Sequence, residues 1–125
     1  MTARTQDAGL ARMTSLLAAA TWWLQWGTGS GAIKSANVVT TTSTTEARSS
    51  ATMTQQTVNV TNDTLQFVAT IVAAGSRTIT EVGAFDAVGT GSPPTGGNMD
   101  VYVDFGSIAL ATSDSIGFTI KVTYT

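Results

Sequence analysis

The side chains able to do chemistry gather in the second half of the chain, where Glu81, Asp86, Asp100 and Asp104 follow one another closely. Carboxylates in such numbers hold a divalent cation when several of their oxygens converge. Asp100 and Asp104 fall on one face of a predicted strand, but four residues of strand separate them by roughly 13 Å, too far to share an ion. Asp86 lies opposite them across a predicted hairpin, so a calcium site of Asp86 with one of the pair is a candidate. The alternative is a set of solvated acids that blunt a sheet edge. Glu81 sits on the more apolar side of its strand, and Arg77 or Arg48 would satisfy it if buried. The chain has no cysteine and no histidine. That removes thiolate nucleophiles, imidazole bases, disulfides and most zinc sites together. No nucleophile is left with a base beside it. The expectation is a non-enzyme with no cofactor, no metal and no small-molecule substrate.

A second group is aromatic. Trp22-Trp23-Leu24-Gln25-Trp26 holds all three tryptophans. In a strand Trp22, Leu24 and Trp26 share one face and Trp23 and Gln25 the other. The ordinary reading is core plus one surface aromatic. Two functional readings compete with it: an interface anchor, since tryptophan is enriched at binding hot spots, and a platform for stacking sugars. Gly27-Thr28-Gly29-Ser30-Gly31 follows, but it lacks the lysine and the strand–loop–helix setting of a phosphate-binding loop.

The elements that must position these groups are mostly strands. Residues 6–20 are predicted helical, with Thr5 as cap, Asp7 in the first turn, and Leu10, Met13, Leu17 and Ala20 on one face. Arg4 and Arg12 ahead of Leu16-Leu17-Ala18-Ala19-Ala20 also resemble a signal peptide, although the apolar run is short for one. Strands are predicted at 22–26, 36–40, 53–60, 65–72, 79–86, 98–105 and 116–124, with a short strand or extended link at 107–111. A polar loop holds Glu46 and Arg48. The 79–105 stretch reads as a hairpin around a Gly/Pro/Thr loop, with Met99, Val101, Val103 and Phe105 inward and Asp100, Tyr102 and Asp104 outward. Phe67, Ile71, Phe85, Val101, Val103, Phe105, Ile116, Phe118, Ile120 and Val122 are the predicted core. The fold class is all-β: an antiparallel, jelly-roll-like β-sandwich over residues 22–125 with a short N-terminal helical arm over residues 1–21.

Composition points to assembly. Charged residues make up only 11% of the 125 positions, against roughly 25% in ordinary soluble domains. Threonine, present 24 times, takes their place. A hydroxyl is far cheaper to bury against another subunit than a charge, because one partner satisfies it. The net charge of −2 gives no electrostatic case for nucleic acid or a membrane surface. It is unevenly spread: residues 1–60 carry +2, with Arg4, Arg12, Lys34 and Arg48 against Asp7 and Glu46, while residues 61–125 carry −4.

Several segments together resemble a known group. Trp26-Gly27-Thr28-Gly29, Thr61-Asn62-Asp63-Thr64, Ile79-Thr80-Glu81-Val82-Gly83-Ala84-Phe85-Asp86, Gly96-Gly97-Asn98-Met99 and the run from Asp114 to Val122 are similar to segments of small virion structural proteins of tailed bacteriophages. That group includes trimeric capsid cement (decoration) proteins and relatives described as tail-fibre proteins. The likeness spans residues 22–125 and rests on turns and strand faces; the Pro93-Pro94 tip departs from it as an insertion. It implies a non-enzymatic capsid cement protein on the virion surface, a homotrimer that bridges neighbouring copies of a major capsid protein. The alternatives are a tail-fibre or baseplate module of the same fold, and a carbohydrate-binding module. On the first reading Arg4, Leu10, Arg12, Met13, Leu17, Trp22, Trp23 and Trp26 are the candidate interface, with the helical arm docking on the capsid.

Overall fold

The computed structural model describes residues 1–32 and 44–125. The strand expected at 36–40 and most of the threonine cluster at 40–45 lie outside the described residues. What is described is the expected antiparallel β-sandwich behind a short N-terminal helix.

The helix α1 spans Asp7–Ala18. Gln6, extended, occupies the N-cap without a side-chain hydrogen bond, so the expected Thr5 cap is not made. Asp7 sits in the first turn, where a negative charge suits the helix dipole. The stripe that meets the sandwich is Leu10, Thr14 and Leu17, because Met13 is turned out and 39% exposed. Thr14 wins the place by its hydroxyl, which donates to the Asn62 carbonyl at 2.6 Å and accepts from Gln55 Nε2 at 2.8 Å. A polar residue survives there because every bond it needs is supplied.

One sheet has four strands in the order β2-β1-β5-β6, with β1 Trp23–Gly27, β2 Ser49–Ser50, β5 Arg77–Phe85 and β6 Met99–Leu110. The other has three in the order β3-β4-β7, with β3 Thr52–Gln56, β4 Thr64–Val72 and β7 Ser115–Thr123. Every pairing is antiparallel. Only Ala51 separates β2 from β3, and its N–H donates to the Trp22 carbonyl at 2.8 Å. The chain therefore steps from sheet to sheet along that side.

The core lies between the sheets. Trp22, Leu24 and Trp26 point into it, as the period of two requires. Trp22 meets Phe67 edge-on with centroids 5.8 Å apart, and Trp26 meets Phe118 likewise at 6.5 Å. Of the predicted core, Phe67, Ile71, Phe118 and Ile120 are buried and Val101, Phe105, Ile116 and Val122 are partly so. Phe85 is buried on the opposite face of its sheet, under Arg48, and Val103 remains 36% exposed. The outer face of β4 is open: Val68 and Val72 stand in solvent.

Two slips in the β5–β6 register shape the rest. Ala84 pairs with Val101 but Phe85 pairs with Met99, so Asp100 is an extra residue. That reverses the expected facing at the strand start. Met99 lies over Gly83, where a Cβ would sit 2.6 Å from its Sδ, and Asp100 turns toward the end of the core. Farther on, Ile79 pairs with Ile108 and Glu81 with Asp104, leaving additional β6 residues around Gly106 unmatched. Bulges of this kind bend a strand and re-aim its side chains.

Candidate interaction surface

Strands β6 and β7 end their respective sheets, and they lie on the same side of the sandwich: the Phe105 and Phe118 rings are 6.1 Å apart. The 111–114 turn joins them at one end, and over the rest of their length no described segment closes the gap between the sheets. The result is a groove of about 330 Å³ whose walls are Val82, Val103, Phe105 and Ile108 from one sheet and Ile116 and Phe118 from the other. Val103 and Ile108 are 36% and 39% exposed. The second slip in β6 falls in this same stretch, between the residues that pair with Glu81 and Ile79, and Phe105 lies within it.

Along the groove, and among the described residues, both flanking edges lack the usual protection. Free edge strands ordinarily carry lysine, proline or inward charges that block pairing with another chain. Here no charged residue occurs from Phe105 to Ser113 or from Ser115 to Ile120. The surface continues round β7 onto the outer face of the three-stranded sheet. Rows run across it as Thr52–Val68–Thr119 and Thr54–Gln66–Lys121, and Lys121 is its single charge. With that one exception, this is the uncharged threonine-bearing face that composition anticipates.

The buried polar residues do other work. Arg48, expected in a polar loop, is buried in the protein: Nε donates to Gln25 Oε1 at 2.8 Å and Nη1 to the Ala87 and Gly96 carbonyls, both at 2.8 Å. Burial lowers its guanidinium pKa, and the charge of Asp86 partly restores it. Gln25 completes the clamp by donating to the Pro94 carbonyl. Together they hold the 87–98 loop against the four-stranded sheet. Glu46 accepts from Trp26 Nε1, the Ala74 N–H and Arg77 Nε, the last at 3.1 Å. Burial opposes its ionisation, but those donors and Arg77 outweigh it and the carboxyl stays below its ordinary value.

Glu81 is fully buried, as its strand position suggests, but its partners are not the expected arginines. Tyr102 donates to Oε2 at 2.6 Å and the Gly29 N–H to Oε1 at 3.3 Å. Arg77 is taken by Glu46, and Arg48 by the loop. Asp63 is enclosed in the 57–63 turn and accepts from the N–H groups of Val58, Asn59 and Val60 and the Thr64 hydroxyl. Burial alone would raise it; those four donors pull it down to about 2. These carboxylates brace turns and strand ends.

Of the acids weighed for a cation, Asp104 accepts from the Gly31 N–H. Asp86 accepts from the Asn98 N–H at 2.7 Å and from Asn98 Nδ2 at 2.9 Å, and those bonds hold its carboxyl below the usual range. Among the described residues no group of three or more acids is placed to hold a metal ion.

The candidate interface residues are divided by the fold. Leu10, Trp22 and Trp26 are buried in their own chain, and Leu17 packs against the core. Trp23 is half-buried on the opposite face of β1, so the three indoles form no common platform for a sugar. Arg4, Arg12 and Met13 are exposed, beside Leu16 at 68%. The residues that sequence reasoning missed are Thr14, hidden by its polarity, and Ile108, expected in a short strand or extended link and found in the continuation of β6. The Phe105-Gly106-Ser107-Ile108-Ala109-Leu110 run, free of charge, was the available signal for the groove.

No family model, no curated protein and no solved structure matches the chain.

Proposed function

We propose that the chain is a non-enzymatic structural subunit of a tailed-bacteriophage virion, a capsid cement protein that trimerises and bridges neighbouring major capsid subunits. The observation that carries this reading is the open β6–β7 side. An apolar groove lies between stretches of two edge strands, 105–110 and 115–120, that carry no charge, and it leads onto a sheet face with one lysine. Such an edge adds strands from a neighbour through main-chain hydrogen bonds, while pockets for alternate side chains set the register. Burying apolar surface there contributes roughly 25 cal/mol per Å² before ordering costs. A cement subunit needs no chemistry, only many contacts repeated over a lattice, where multivalency strengthens each weak one. The sequence resemblance supplies the virion; the uncharged edge supplies the means of attachment.

The test is the copy number of this chain in purified virions whose genome encodes it, measured by quantitative mass spectrometry. Hundreds of copies per particle are expected. A few to dozens would place it in the tail, as a fibre or baseplate module, and its absence from the particle would end the proposal.

A further inference from the structure

Both lips of the groove are strand edges, and the ladders behind them decide which residues offer backbone groups to a newcomer. In an antiparallel ladder, pairs that exchange hydrogen bonds alternate with pairs that do not. The Tyr124 N–H donates to the Asp63 carbonyl and the Ala73 N–H to the Asp114 carbonyl. With the observed register, the even-numbered residues of β7 therefore bond to β4. The odd-numbered ones, Lys121 among them, turn their N–H and C=O toward the edge. The same alternation can be followed across the other sheet. The Ala51 N–H donates to the Trp22 carbonyl, so Trp22 and Leu24 bond toward β2, and Trp23, Gln25 and Gly27 toward β5. Val82 and Ala84 are then left to bond β6, through Val103 and Val101. Tyr102 and Asp104 keep edge-directed backbone groups.

The charges of the two edges are opposite and similarly placed. Asp104 is exposed, and it faces outward from the four-stranded sheet because its neighbour Val103 lines the groove. One of its oxygens accepts from the Gly31 N–H at 3.1 Å. Lys121 is exposed on the outer face of the three-stranded sheet and has no hydrogen bond or ion pair among the described residues. Within one chain the two cannot meet, since they stand on opposite outer faces of the sandwich.

We propose that the occupant of this edge is a second copy of the chain, its β7 laid antiparallel along β6 with Lys121 opposite Asp104. That register meets three conditions together. Both residues have edge-directed backbone, so they form a hydrogen-bonded pair. Val103 and Phe105 fall opposite Val122 and Ile120 of the second copy, apolar against apolar on the inner face. The uncharged stretch 105–110 runs along the uncharged stretch 115–120. A shift of two residues either way keeps the backbone match but parts the opposite charges. Pairing like strands leaves both charges unmatched, because β6 carries no cation and β7 no anion. The contact is head-to-tail and closes as a ring, the four-stranded sheet of each copy continuing into the three-stranded sheet of the next. Each groove then has a neighbour on both lips, and its apolar walls leave water. The inference rests on the trimer proposed above and adds which strands meet and in what register.

The chain has no cysteine, so introduced pairs report on the full-length protein without background. In Asp104→Cys/Lys121→Cys the paired Cα atoms would lie about 5.5 Å apart, within disulfide reach. Oxidation is expected to give a covalent trimer on denaturing gels. Asp104→Cys/Ser115→Cys, roughly 20 Å out of register, should stay unlinked. In sedimentation, Asp104→Lys should raise the concentration at which the trimer half-dissociates about tenfold, and Asp104→Lys/Lys121→Asp should restore it. A parent trimer whose in-register variant does not link, or links no better than the Ser115 variant, would overturn the register and leave the trimer standing. Failure of the double reversal to restore association would also overturn it. A parent that remains a single chain up to millimolar concentration would overturn the pairing itself, and copy number in virions would then decide the cement reading alone.

Discussion

The guanidinium of Arg48 lies 3.7 Å above the centre of the Phe85 ring. Neither residue is where its type would place it. Phe85 is buried outside the inter-sheet core, and Arg48 is buried at all, because each covers the other beneath the 87–98 loop. The stacked plane leaves the edges of the guanidinium free for its three hydrogen bonds, to Gln25, Ala87 and Gly96.

Arg48→Met should keep the apolar stem over Phe85 but orphan the acceptors. Loss of charge-assisted bonds to buried groups is expected to cost about 3 kcal/mol in chemical denaturation. Limited proteolysis should then cut first within 87–98, whereas an unchanged cleavage pattern would show that the clamp is not what holds the loop.

Asp63 gives the fold an acid limit. Its carboxyl is at about 2 in the folded chain and 3.8 ordinarily. A depressed acid contributes stability that is complete above the unfolded value and is lost as pH falls through the folded one. Urea midpoints should therefore decline as pH drops from about 3.8 to about 2. In Asp63→Asn the decline over that interval should be shallower, with a lower midpoint already at neutral pH.

Ile108→Lys tests the open edge. Ile108 is 39% exposed, so a lysine there should leave the thermal midpoint of the monomer almost unchanged. A charge on the free strand should nevertheless block pairing with another chain. Sedimentation is expected to show a trimer for the parent and a single chain for the variant. A variant that still forms trimers would move the interface elsewhere.

Removing residues 1–20 should abolish cooperative unfolding rather than merely remove a docking arm. Leu10 is buried, Leu17 packs on the core, and Trp22 Nε1 donates to the Leu17 carbonyl at 2.7 Å. A truncated chain that melts as sharply as the parent would instead show that α1 is dispensable to the fold and available to a partner.

Much of the sandwich was legible because it obeys a period of two. In β4 and β7 the buried and exposed residues alternate as written, and their register runs unbroken from Thr64–Thr123 to Val72–Ser115. The Trp22-Leu24-Trp26 face was legible for the same reason. In β6 the rule fails after its slips, which leave no mark in composition, so Met99 and Asp100 exchange faces. The polar hubs were hidden differently: Arg48 and Glu46 look like loop residues because their partners lie far off in sequence, at Ala87, Gly96 and Arg77. Thr14 was missed since a hydroxyl at a helix interface is judged by bonds that only the folded neighbour supplies.

The single-residue step at Ala51 gives the two sheets a spine. With β2 and β3 covalently continuous there, and Ala51 tied to Trp22, the sheets cannot separate on that side without breaking the chain's own pairing. At the opposite margin β6 and β7 are joined at one end only, by the 111–114 turn, so outward strain is taken up along the groove away from that turn. A neighbour seated in that margin would act as a clasp. It would resist dilation of the subunit at the place where the same neighbour pulls on it, so load from a strained lattice would tighten the grip rather than pry the sandwich apart.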